Sequence, residues 1–139
     1  METNMSEPMG EGWTREGHGG FSAVFAEIWR REEEGGPAFA MWVEPRHLDV
    51  TGHMARGALL SFADHVVGSA GIKVLGISQV TIQLQVSFIA PIREGDLLLG
   101  HGEMVGTAGD ITHLRGKLSV DGKTVAVADG RWKAVRPLA

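Results

Sequence analysis

From residue 49 to residue 64 the chain reads Asp49-Val50-Thr51-Gly52-His53-Met54-Ala55-Arg56-Gly57-Ala58-Leu59-Leu60-Ser61-Phe62-Ala63-Asp64. A polar loop closes on Gly52, an apolar helix is expected to begin near Ala55, and Asp64 lies roughly two turns further along it. A helix N-terminus leaves N–H groups that can meet a developing oxyanion, and a carboxylate can activate water. Together they are two of the three parts that ester or thioester hydrolysis needs. A pocket that excludes bulk water is the third.

The helix that would carry these groups is expected over residues 54–70. Leu59, Phe62, Ala63, Val66, Val67 and Ala70 form a broad apolar face at helical spacing, and Gly71 can serve as its C-terminal stop. With so few charges it belongs inside the structure. Beyond the helix the chain reads as strands. Val80, Ile82, Leu84, Val86 and Phe88 alternate with Thr81, Gln83, Gln85 and Ser87, the pattern of a strand with two unlike faces. Pro91 and Glu94-Gly95-Asp96 interrupt it, and strands over 97–105, 111–120 and 124–135 complete a meander with a tight hairpin at Asp121-Gly122.

Upstream, residues 24–31 and 38–43 predict a hairpin across Glu34-Gly35-Gly36-Pro37, although Phe21, Val24, Phe25 and Ile28 also suit helical spacing. Residues 1–20 are polar and Gly-rich and are expected to form a flexible tail, leaving 21–139 as a single domain. One buried helix and a long antiparallel meander predict a two-layer α+β fold in which the sheet curls round the helix.

At 139 residues, 43% hydrophobic and 22% charged, the chain is one globular domain with room for a core, yet short enough for a site shared between subunits. Zero cysteines exclude disulfides, thiolate metal sites and cysteine nucleophiles. No apolar stretch is long enough to span a bilayer and no basic-then-apolar leader opens the sequence, so no membrane partner and a cytoplasmic location are expected. A net charge of −4 and a pI near 5.8 argue against nucleic-acid binding. An anionic ligand such as coenzyme A would need a local basic patch instead.

The order of these motifs resembles the hotdog-fold thioesterases, in particular the PaaI-like acyl-CoA thioesterases. Their pattern is N-x-x-G-x-x-H-G-G-x-x-x-x-x-x-D, then a strand opening with Ser or Thr, then a Pro…Gly-Asp turn. Asp49 stands at the Asn position, Gly52 at the first Gly, Ala55 at the His, Arg56 and Gly57 at the Gly pair, and Asp64 at the carboxylate. Thr81 matches the hydroxyl, Pro91 and Gly95-Asp96 the turn, and residues 126–130 the last strand. The resemblance implies a hotdog fold, with a long central helix wrapped by a curved antiparallel sheet. It implies hydrolysis of an acyl- or aryl-CoA thioester in a homodimer or dimer of dimers, with no cofactor beyond the coenzyme A of the substrate. The site would lie between subunits, the helix N-terminus and loop from one chain and the Asp and hydroxyl from its partner. Simple geometry agrees: Gly57 and Asp64 are seven residues apart, so about 10 Å separates them along one helix axis.

On this reading Asp64 acts on water as general base, or attacks as nucleophile. Buried among Phe62, Ala63, Val66 and Val67, an unpaired carboxylate would be costly, which marks it as functional. The backbone N–H groups of Arg56 and Gly57 would meet the thioester oxygen. The Arg56 guanidinium has several candidate roles: pairing with Asp49 or Asp64, holding a substrate carboxylate or phosphate, or lying at the surface. Asp49 departs most from the pattern, because ionised aspartate can only accept where asparagine donates. Asp49 is then protonated, or weakens activity, or has another task such as capping its turn. If it spoils an oxyanion hole, Asp49→Asn should raise kcat. His53 is displaced by two residues from the family histidine. His47, His65, His101 and His113 have no carboxylates at ligand-like spacing, so no metal site is expected.

Two other functions compete. A non-catalytic acyl-CoA or ligand-binding protein is suggested by the changes at Asp49, Ala55 and Arg56. A hotdog dehydratase or hydratase is disfavoured because the histidine ahead of a Pro-Gly helix start is missing. Ser61 lacks the G-x-S-x-G elbow of a serine hydrolase.

Overall fold

A computed structural model describes residues 7, 8, 10–17, 19–75 and 78–135, with the backbone alone for 72–75. In chain order its elements are β1 (Thr14–Arg15), α1 (Phe21–Phe25), β2 (Trp29–Glu33), β3 (Gly36–Trp42), α2 (Arg56–Leu75), β4 (Gln79–Phe88), β5 (Leu97–Ala108), β6 (Ile111–Val120) and β7 (Lys123–Ala134). The strands form one antiparallel sheet in the order β1-β2-β3-β5-β6-β7-β4. The α+β expectation of one long helix and an antiparallel sheet holds. No helix among the described residues is long and apolar enough to cross a membrane.

Burial of one helix face drives the arrangement. Leu59, Phe62, Ala63, Val66, Val67 and Ala70 are all buried, against Phe39, Met41, Leu98, Leu114, Leu118, Ala126 and Trp132 of the sheet. Each large side chain so buried contributes roughly 1.5–3 kcal/mol. Helix α2 touches all five strands from β3 to β7, which is how the sheet comes to enclose it. At Asp121-Gly122 both residues have positive φ, 50° and 79°, the conformation a two-residue hairpin requires.

Four expectations need correction. The helix does not stop at Gly71 but runs to Leu75. Gly71 is there for close approach: a Cβ on it would strike Gln79 and Leu114. The segment 21–31 is neither all helix nor all strand, since α1 ends at Phe25 and β2 starts at Trp29, the latter forming the expected hairpin with β3. Folded structure also begins upstream of residue 21. Trp13 is buried with Trp29, Ala38 and Ala40 on the sheet face away from α2, Arg31 lies 4.4 Å over its ring, and β1 pairs with β2. Residues 1–6, 9 and 18 of the expected tail lie outside the described residues.

The fourth correction reaches the site. Strict alternation along β4 would put Val80 and Ile82 on the core side with Leu84 and Val86. A bulge between Thr81 and Gln83 breaks the register with β7. Leu84 and Val86 still pack on the core, whereas Val80 and Ile82 are exposed and Thr81 is turned toward α2. A bulge inserts one unpaired residue and so re-aims the side chains beyond it.

Candidate active site

The loop entering α2 is pinned on several sides. His47 is buried, accepts the Glu44 N–H on Nδ1 at 3.0 Å, and so donates from Nε2 to the Phe25 carbonyl at 2.7 Å. Gly52 has φ 84°, where a side chain would be strained. Its N–H reaches the Asp49 carbonyl, the Asp49 N–H reaches the His53 carbonyl, and the Met54 N–H reaches the Ile92 carbonyl. The first intrahelical bond runs from the Leu59 N–H to the Ala55 carbonyl at 3.0 Å. The N–H groups of Arg56 and Gly57 lie ahead of it, as helix geometry requires.

At this helix end is a cavity of about 270 Å³. Asp49, Thr51, His53 and Arg56 supply its polar wall; Met54, Leu59, Phe88, Ile89, Pro91 and Ile92 supply the apolar one. Gly57, next along the helix from Arg56, is not among the lining residues and has open space where a Cβ would be. Arg56 pairs with neither Asp49 nor Asp64 among the described residues; its guanidinium lies over the Phe88 ring at 5.6 Å. This positive charge is the local basic feature of the cavity.

Asp49 spends its carboxylate within the loop. Its Oδ1 accepts both the Thr51 hydroxyl, at 2.5 Å, and the Thr51 N–H, at 2.8 Å. Those bonds, the hydroxyl first, hold its pKa below the usual aspartate value, so the protonated alternative is excluded near neutral pH. A lowered folded-state pKa stabilises the loop above the ordinary aspartate range near about 3.9, and that contribution fades as pH falls through the lowered value. Asp49→Asn is therefore expected to flatten the acid limb of stability below about pH 4, read as Tm against pH.

Asp64 is half-buried on the flank of α2 and takes the Thr81 hydroxyl at 2.5 Å. It is thus partnered, not the unpaired carboxylate expected. Neither Asp64 nor Thr81 lines the cavity at the helix start. Within one chain the candidate residues fall into two groups: Asp49, Arg56 and Gly57 at the helix tip, and Asp64 with Thr81 two turns away.

Three of the histidines are paired with carboxylates by the fold. His101 bonds Glu33 at 2.9 Å and thereby lowers its pKa, His65 bonds Glu16 at 3.2 Å, and His113 bonds Asp129 at 3.4 Å. Each has a carboxylate partner distant in sequence. Among the described residues no three metal-binding side chains gather. Sequence reasoning missed Thr51 and Phe88 as members of the cavity. Thr51 was nonetheless legible as a hydroxyl two residues beyond an aspartate, the spacing of a local turn bond.

A family model described as the thioesterase superfamily matches residues 51–127, more than half of the chain. The chain belongs to the thioesterase superfamily. Among solved structures, this thioesterase-superfamily chain is similar to zebra fish thioesterase superfamily member 2, with 17% identity, TM-score 0.74, and 84% of this chain and 87% of the other covered. A mutant of the phenylacetic acid degradation protein PaaI from Thermus thermophilus is 20% identical, with TM-score 0.72 and coverage of 83% and 98%. A hypothetical thioesterase from Streptococcus pneumoniae, solved with coenzyme A, is 18% identical, with TM-score 0.69 and 90% of each chain covered. These likenesses establish the hotdog fold. A search of curated proteins gives no significant match.

Proposed function

We propose that this chain hydrolyses an acyl- or aryl-CoA thioester to the free acid and coenzyme A, working as a homodimer or a dimer of dimers. The carbonyl lies at the tip of α2, its oxygen facing the N–H groups of Arg56 and Gly57. Asp64 of a second copy acts on water, with the Thr81 hydroxyl holding the carboxylate in place. As general base, Asp64 takes a proton while the water oxygen bonds to the carbonyl carbon. The C–S bond then breaks and the thiolate leaves, to be protonated in turn. As nucleophile, Asp64 would instead form an anhydride that water opens.

The observation that carries this reading is the cavity at the amide end of a buried helix, in a chain whose family hydrolyses thioesters. Support for a second copy comes from the same geometry. Asp64 lies roughly 10 Å along the axis from Gly57 and outside the cavity, so one chain alone does not bring acid and amide together. Strand β4, which carries Thr81, is a sheet edge with Val80 47% and Ile82 52% exposed. Free apolar edges of this kind favour pairing with another strand.

A second reading, a non-catalytic acyl-CoA-binding protein, draws on Asp49, whose ionised carboxylate offers no donor to a carbonyl. Thiol release from a panel of short, long and aromatic acyl-CoAs separates the two. Turnover of at least one class by a protein that light scattering shows to be dimeric or larger is the expected result. Silence from well-folded oligomer would favour the binding protein, and a lone protomer would remove the shared site.

A further inference from the structure

Two opposite charges line the cavity at the tip of α2 and, among the described residues, do not pair. Asp49 spends Oδ1 on the hydroxyl and the N–H of Thr51, at 2.5 and 2.8 Å, within its own loop. Arg56 opens α2, and its guanidinium lies 5.6 Å from the centre of the Phe88 ring at the end of β4. That ring is its one contact of this kind; no carboxylate or other acceptor among the described residues meets it. Elsewhere Arg15, Arg30, Arg31, Arg46 and Arg115 each lie within 3.2 Å of a carboxylate oxygen. Arg56 is thus a charged donor fork held against an aromatic ring with no anion to take it.

The cavity also limits what Arg56 can meet. Its volume of about 270 Å³ falls below the roughly 300–1,000 Å³ that drug-sized ligands fill. It suits a short end group, not a nucleotide or a long acyl chain. Met54, Leu59, Phe88, Ile89 and Ile92 offer an uncharged wall for methylenes, and Arg56 offers charge-assisted hydrogen bonds to an anion beyond them.

We infer that Arg56 is a specificity-determining residue, and that the favoured substrates are short acyl-CoAs whose acyl chain ends in a carboxylate. The inference rests on the hydrolytic reading of this cavity. With the thioester oxygen at the Arg56 and Gly57 N–H groups, an anion held by the Arg56 side chain lies within one side chain's length of the carbonyl. The phosphates of coenzyme A do not qualify, because the whole pantetheine arm separates them from the sulfur. A carboxylate a few methylenes beyond the carbonyl does. Asp49 opposes a second carboxylate, but its own charge is already met by the two Thr51 donors, and the positive end of α2 offsets it further. The contact stands away from the bond that breaks, so it acts through binding and shows in KM more than in kcat.

The test sets glutaryl-CoA against pentanoyl-CoA, of equal chain length, by thiol release from wild type and Arg56→Met, with circular dichroism to check folding. Wild type should favour glutaryl-CoA in kcat/KM by about 10–100-fold, the usual worth of a hydrogen bond to a charged group. In Arg56→Met the preference should vanish or reverse. The ratio within each protein is what is read, so any general loss at the helix tip cancels. Arg56→Lys should keep part of the preference, since it retains the charge without the planar fork. The same two acyl groups on pantetheine, which has no phosphate, should show the preference undiminished. A wild type active on both CoA thioesters without preference, or a preference that survives in Arg56→Met, overturns the carboxylate contact alone. Equal dependence on Arg56 for both acyl groups, lost with the pantetheine thioesters, would assign the guanidinium to a phosphate and overturns it too. Wild-type silence on acyl-CoAs of every class overturns the hydrolytic reading and this inference with it. Melting provides a check that needs neither turnover nor a variant: glutarate should raise the Tm of wild type more than pentanoate at equal concentration, and equal shifts count against the contact.

Discussion

Asp64→Asn is expected to lower kcat by about 10²–10⁴ while leaving fold and assembly intact, the range typical of losing a positioned general base. The substitution is nearly isosteric. Asparagine keeps a carbonyl oxygen for the Thr81 hydroxyl, so the contact between α2 and β4 survives. What disappears is the negative charge and its capacity to take a proton from water. Thiol-release kinetics measures the first effect, and thermal melting with light scattering verifies the second. Retained turnover in a folded Asp64→Asn protein would remove this residue from the mechanism. A protein that also melts much earlier would make Asp64 a structural residue instead.

Gly130→Ala should be the most damaging small substitution in the sheet. Gly130 is buried on β7 opposite Leu84, next to the bulge that aims Thr81 at Asp64. A Cβ there would collide with the carbonyl oxygen of Gln83 and lie 2.9–3.0 Å from the Trp132 ring. Backbone, not a flexible side-chain tip, has to yield. Overpacking of this kind costs about 1–3 kcal/mol, and displacing β4 would also separate Thr81 from Asp64. Loss of both Tm and turnover is therefore expected. Gly106→Ala in β5 is the control, since a Cβ at that position meets open space. Equal melting temperatures for the two variants would show that the close approach at Gly130 is not restrictive.

These two residues also mark what sequence can and cannot reveal. Asp64 drew notice because a carboxylate seven residues past a glycine, on a helix this apolar, would be costly if buried and unpaired; the structure has it half-buried and bonded to Thr81. The apolar face from Leu59 to Ala70 identified the buried helix, and alternation with turn residues identified the strands, because both periods arise from local backbone geometry. Gly71 misled for an equally physical reason. Glycine weakens a helix locally, but here neighbouring Leu114 and Gln79 need the missing side chain more than the helix needs a stronger former. Trp13 misled because residues around it are polar; only the sheet face formed by Trp29, Ala38 and Ala40 gives it a place to bury.

Local patterning thus determined the long helix, the strands that follow it, the α+β class and the stretch of chain carrying the candidate chemistry. Tertiary structure alone decided which of those groups meet. The β4 bulge, absent from any alternation rule, turned Thr81 toward Asp64 and left Val80 and Ile82 outside. The fold of residues 48–54 tied the Asp49 carboxylate to Thr51, and Thr51 to His53, so a departure from the family pattern gained a partner of its own. Periodicity records what each residue prefers along its own element. Hydrogen-bond partners and strand register depend on atoms brought from elsewhere in the chain, and those are fixed only when the sheet closes on the helix.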